Sequence, residues 1–237
     1  MQRFVIGTLR PGRFVKWLLT AAAVIAAAVA VPVAAVNAAR SGSATVVVDA
    51  GHGGADGGVT GVNTGVKESD LNLVVARLLG EYLESGGFDV VYTRKGSGGL
   101  YRPSDANKKR ADMHRRGDII RNAAPAAVVS IHMNTFSASS RRGAQVFFDA
   151  SSDEGRELAS AIQDELNRTF NLPDAGREFA PLAADKYILK QSRASVIVEC
   201  GFLSNPSDEA HLLDADYRAE FAYAVFRAVA AYLSGGA

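Results

Sequence analysis

The sequence predicts an α/β domain built on a mainly parallel sheet flanked by helices, and two observations carry that reading. Short β-branched, apolar runs alternate along the chain with longer stretches whose apolar residues recur at helical spacing. Three of the apolar runs lead directly into His52, His132 and Glu199, so chemistry-bearing side chains collect at strand ends. The carboxyl ends of parallel strands form one edge, where ligands of open α/β sheets bind.

The elements follow in order. Thr45–Asp49 is the first β run. Glu68–Ser85 carries Leu71, Val74, Val75, Leu78, Tyr82 and Leu83 at helical spacing, and Gly86-Gly87 stops it. Phe88–Thr93 is the second β run and Asp105–Asn122 a charged helical stretch. Ala126–Ile131 and Gly143–Phe148 are the third and fourth β runs, and Asp153–Phe170 is helical. Ser195–Glu199 is the fifth β run. Ser207–Leu233 is mostly helical, with Phe221, Val225, Ala228 and Val229 on one face. Ser97–Ser104 and Ala175–Lys186 read as irregular segments bordering a groove.

The chain has 237 residues, 48% of them hydrophobic and 22% charged, which suffices for one well-packed domain and an extra segment. Net charge is +1 and the basic residues lack interleaved aromatics, which argues against nucleic acid. The extra segment is at the front. Arg3, Arg10, Arg13 and Lys16 precede a run from Trp17 to Val36 that is apolar apart from Thr20 and Pro32. A basic flank before such a run is the pattern of an export signal, and the basic side stays in the cytoplasm. Two outcomes stay open: cleavage after Ala38, or retention as a membrane anchor, since about 20 apolar residues also span a bilayer. Residues 1–40 are therefore expected to be a signal peptide or anchor with a short linker. Residues 41–237 are expected to be the catalytic domain, outside the cytoplasm, touching a membrane only through the front segment.

Glu199 is the hardest of the strand-end residues to read as structural. A carboxylate after the apolar run Val196-Ile197-Val198 is costly to bury unless it is paired or metal-bound. A glycine-rich loop from Gly53 to Val66 leads to Glu68 at the start of the first long helix. Asp70 is a rival ligand, but residues two apart on a helix face different ways. Two imidazoles and a carboxylate around an open position form a catalytic zinc set. With His52, Glu68 and His132 on the metal, Glu199 is left as general base and acid. Asp49 and Asn134 are candidate second-layer or substrate-positioning groups. Arg94 is placed either against a substrate carboxylate or in a surface ion pair. Cys200, the single cysteine, would suit a cysteine-dependent amidase, but it reads better as a small buried hydrophobe because neighbouring strand residues face opposite ways. His114 and His211 read as solvated, and Arg116-Gly117-Asp118 as an accidental tripeptide within a helix.

Four segments carry a resemblance: D-A-G-H-G-G at Asp49–Gly54, K-E-S-D at Lys67–Asp70, S-I-H-M-N at Ser130–Asn134 and V-E-C-G-F-L-S-N at Val198–Asn205. Together and in this order they resemble the zinc N-acetylmuramoyl-L-alanine amidases of the amidase 3 family, over roughly residues 45–234. The resemblance implies a single domain with a central mixed, mostly parallel sheet of about six strands, a bound zinc (Zn) ion and peptidoglycan as substrate. It implies His52, Glu68 and His132 on zinc and Glu199 as catalytic carboxylate. Ala50 and Ala194 depart from the family, which usually has proline at or near them. The arrangement is most similar to germination-specific members of endospore formers, which implies a role in forming muramic lactam in spore cortex. An activating partner protein is a further expectation. The competing non-enzyme reading is a peptidoglycan-binding module without catalysis.

Overall fold

A computed structural model describes residues 43–235. The expected export segment, residues 1–40, lies outside the described residues. In chain order the elements are β1 (Thr45–Ala50), α1 (Glu68–Ser85), β2 (Asp89–Tyr92), α2 (Lys108–Ala123), β3 (Ala127–Asn134), β4 (Gln145–Phe148) and α3 (Asp153–Leu166). A π-helical segment, Asn167–Ala175, continues α3. β5 (Leu182–Ala183), a 3-10 turn (Tyr187–Lys190), β6 (Ser195–Phe202), α4 (Pro206–Leu213) and α5 (Ala215–Leu233) complete the domain.

Six strands form one sheet in the order β2-β1-β3-β6-β4-β5. The β1–β2, β1–β3, β3–β6 and β4–β5 pairs are parallel, and β4 runs antiparallel to β6. The central strands are apolar on both sides because both sides are covered. Val46, Val48, Val129, Ile131, Val196, Val198 and Cys200 enter a large core with residues of α1, α3 and α5. Val47, Val128 and Ile197 enter a smaller core with Ile120 of α2 and with Ile188 and Leu189 of the 3-10 turn. This alternation assigns neighbouring residues of one strand to opposite faces.

The α/β class and the mostly parallel sheet agree with the expectation, and three details differ. β5 is only two residues long and falls in a segment read as irregular, too short for any periodic signal. β3 and β6 run on to Asn134 and Phe202, so His132 stands within its strand rather than after it, and Glu199 within its strand rather than at its end. The last helical stretch is two helices. Asp214 leaves helical geometry and its carboxylate accepts the Tyr217 N–H, capping α5.

Candidate metal centre and active site

β1 ends in a turn that places His52 over the carboxyl edge of the sheet. His52 itself has φ of 59°, a left-handed conformation unusual for a side-chain-bearing residue. Gly51 before it packs so close to His132 that a Cβ there would lie 2.2 Å from the His132 ring. Only glycine lets the two histidine-bearing segments approach in this way. The turn is held from beneath by two buried arginines. Arg94 donates to the carbonyls of Ala50, Gly51, Ser69 and Gly96 at 2.8–3.0 Å. Arg116 donates to the carbonyls of Ala50 at 2.7 Å and His52 at 2.5 Å.

The loop after the turn delivers Glu68. Its far tip is tied to α4, where buried Glu209 accepts the Asn63 and Thr64 N–H groups and the Thr64 hydroxyl at 2.7–2.9 Å. Glu68 opens α1 and points inward, 2% exposed, whereas Asp70 is exposed. One Glu68 oxygen, Oε1, faces both histidines: His132 Nδ1 at 3.0 Å and His52 Nε2 at 3.2 Å. The same oxygen accepts the Met133 N–H and an Asn72 amide N–H, and Oε2 accepts the Val59 N–H. The Asp56 carboxylate lies 3.0 Å from His52 Nδ1, so it fixes the outer side of that ring. Donor atoms of His52, Glu68 and His132 all lie within 4.8 Å of one another. Two imidazoles and one anchored carboxylate, converging through His52 Nε2, His132 Nδ1 and Glu68 Oε1, make a donor set that could hold a divalent metal.

Glu199 joins the group through the sheet. It pairs with His132 in the β3–β6 ladder, and β-sheet alternation puts it on the face opposite the large core. Its Oε2 is enclosed and has no hydrogen-bond partner among the described residues. Burial pushes its carboxyl up to about 7, with His132 opposing the rise and Glu68 adding to it. Glu68 behaves the other way. Burial pushes it up, but the two histidines outweigh burial and hold it well below the usual carboxylate range. Burial lowers the His52 imidazole, yet Glu68 and Asp56 raise it overall. A cavity of ≈470 Å³ opens beside the two histidines, with Tyr101, Met113, Lys186, Tyr187 and Ile188 among its walls.

A family model described as N-acetylmuramoyl-L-alanine amidase, Amidase_3, matches residues 46–231. The chain belongs to this amidase family. The germination-specific N-acetylmuramoyl-L-alanine amidase of Bacillus subtilis strain 168 is 29% identical over 192 residues, covering 80% of this chain and 79% of that protein. Among solved structures, the CwlD amidase from Clostridioides difficile, in complex with the GerS lipoprotein, has a TM-score of 0.77 at 34% identity. That match covers 81% of this chain and 100% of that one. An N-acetylmuramoyl-L-alanine amidase of Nostoc punctiforme has a TM-score of 0.70 at 27% identity, covering 82% and 99%.

In this amidase the four residues read at strand ends and helix start are brought together, and the other expectations divide. Asp49 is 2% exposed and bound by Arg116, Thr93 and Ser130, so it braces the sheet beneath the histidines. Arg94 is neither at the surface nor free for a substrate carboxylate; it is 4% exposed and spent on the carbonyls of the His52 turn. Asn134 lies beyond the β3–β6 irregularity, and its side chain accepts only the next backbone N–H, that of Thr135. Cys200 faces the large core, 2% exposed, and burial raises its thiol far above the usual range. A cysteine-dependent mechanism is therefore ruled out by the face on which that side chain sits. Arg116, dismissed with its tripeptide, is the most consequential omission: it is 1% exposed and bridges Asp49 and Asp112. The spacing of Asp112, Arg116 and Ile120 at four-residue intervals is the signal for a buried face. Asp56 was also missed.

Proposed function

We propose that this amidase hydrolyses the bond between N-acetylmuramic acid and L-alanine in peptidoglycan with zinc held by His52, Glu68 and His132, and with Glu199 carrying the proton. The observation that supports this most is the single Glu68 oxygen facing both imidazoles. When bound, zinc supplies a Lewis acid that polarises the scissile carbonyl and makes water acidic enough to attack near neutral pH. The protein's own groups do the rest. Glu199 accepts the proton of the attacking water and returns it to the nitrogen of the departing L-alanine. A carboxyl raised to about 7 is suited to both halves of that transfer. Asp56 orients His52 through Nδ1, and Asn72 with the Met133 N–H orients Glu68.

The basic and apolar residues before the linker support export, so the enzyme acts on the wall from outside the cytoplasm. The germination-specific relative and the CwlD neighbour support a place in spore-cortex remodelling. Because CwlD is seen with a lipoprotein, a partner protein that assists this chain is part of the same proposal. The test is elemental analysis of the purified protein coupled to digestion of muropeptides. One zinc per chain and zinc-dependent release of peptide with an L-alanine amino terminus are expected. Binding of muropeptides without release would favour a non-catalytic module.

A further inference from the structure

A second charged region stands at the carboxyl edge of the same sheet. The β4–β6 ladder pairs Gln145 with Glu199 in antiparallel register, so the residues entering β4 lie alongside those leaving β6. Arg142 precedes Gln145 by three residues and Phe202 follows Glu199 by three. Phe202 stands opposite Asn134, two residues past His132 in β3, so these residues lie just beyond the catalytic carboxylate at the same edge. There a pocket of ≈520 Å³ is lined by Phe136, Arg141, Arg142 and Arg177 with small residues between them.

The chemistry of this pocket is one-sided. Arg141, Arg142 and Arg177 make no ion pair within 4 Å among the described residues, although Arg142 is close enough to buried Asp208 to oppose the rise that burial imposes on that carboxyl. By contrast Arg115, Arg116, Arg121, Arg168, Arg193 and Arg227 each pair with a carboxylate. Two of the three are nevertheless held in place. Arg141 sits over the rings of Phe136, at 5.6 Å, and Phe202, at 6.0 Å, and Arg177 over that of Phe179, at 4.5 Å. Stacking on a ring occupies the guanidinium face and leaves its edge donors free for a planar acceptor. A carboxylate is such an acceptor and binds the arginine fork through two parallel hydrogen bonds.

We propose that Arg141, Arg142 and Arg177 form a subsite for a carboxylate of the leaving stem peptide. This rests on the amidase reading, because the scissile nitrogen fixes where the peptide begins. Peptidoglycan stems are acidic after their first L-alanine. An extended peptide advances ~3.5 Å per residue, so with the amide at Glu199 the acidic groups at the second and third stem positions fall within ~10 Å of it, along the edge where the pocket stands. The subsite is a selectivity device: it favours stems with free carboxylates over stems whose carboxylates are amidated.

The experiment compares kcat/KM for two muropeptides, one with the second and third stem carboxylates free and one with both amidated. The wild-type enzyme is expected to prefer the free acid by about tenfold, the scale of a charge-assisted hydrogen bond. In R141Q/R142Q/R177Q the preference falls to near one, with the change carried by KM. Equal use of both substrates by the wild type, or an unchanged preference in the triple variant, overturns the proposal. Should the triple variant not fold, R177Q alone, at an exposed position, lowers the preference about threefold, and no change there is equally adverse. Calorimetric binding of free stem tripeptide separates this from failure of the amidase reading. A protein that cleaves neither muropeptide yet binds the acidic tripeptide over the amidated one keeps the subsite and loses the enzyme.

Discussion

Arg116 donates to Asp49 across 2.6 Å, and both side chains are only 2% exposed. The pair links α2 to β1 below the histidine turn, and the same guanidinium bonds Asp112 and two turn carbonyls. Removing one member of a buried ion pair leaves the other unpaired and costs about 3–5 kcal/mol. Arg116→Ala is therefore expected to lower the melting temperature by on the order of 10 °C in a domain of this size. Differential scanning calorimetry reads this, and a change below about 2 °C would contradict the bracing role.

The same pair makes stability depend on acid. Burial pushes the Asp49 carboxyl up, but Arg116, Ser130 and Thr93 outweigh it and bring it from 3.8 to about 2. A carboxyl with a depressed folded value stabilises the fold at pH above its unfolded value, and that contribution is lost as pH falls through the folded value. The window runs from about pH 4 down to about pH 2, and the contribution is roughly 2 kcal/mol. Urea midpoints measured across that window should fall more steeply for wild type than for Asp49→Asn. Parallel curves would remove Asp49 from the acid response.

Glu199→Gln keeps the shape of the side chain and removes its ability to carry a proton. Turnover is expected to fall by roughly 10²–10⁴-fold, with zinc content unchanged. His132→Ala should lose the metal as well. Metal analysis alongside muropeptide digestion separates the two roles, and near-normal turnover in Glu199→Gln would assign the proton to another group.

Asp56→Asn tests the outer side of His52. A carboxylate that orients a ligating imidazole typically contributes 10–100-fold in metal affinity. Competition with a chelator should reveal a loss of that size in the variant while the melting temperature of the metal-free protein stays near wild type. Unchanged affinity would make Asp56 a turn residue only.

These residues differ in how openly the sequence displays them. His52, His132 and Glu199 follow or end apolar runs, where a polar residue contrasts with its neighbours, and Glu68 opens a strongly periodic helix. Asp56 has no such contrast, because aspartate among glycines is the composition of any turn. Arg116 was hidden by the charge of α2, where Lys108, Lys109, Arg110 and Arg115 suggest a solvated surface. Arg94 shows that a residue at a strand end can serve the backbone rather than a ligand. The break at Asp214 was legible as a helix-capping aspartate, but continuous hydrophobic periodicity across it concealed the boundary.

The tether between Glu209 and the tip of the glycine-rich loop bears on when the centre takes shape. Freely moving, a segment with that much glycine would have to surrender its conformational freedom each time an ion arrived. Pinned at Asn63 and Thr64 to a helix more than 140 positions downstream, it has surrendered that freedom already when the domain folds. The receptacle proposed for the ion is thus shaped as the domain folds, and filling it would demand little further ordering of the loop.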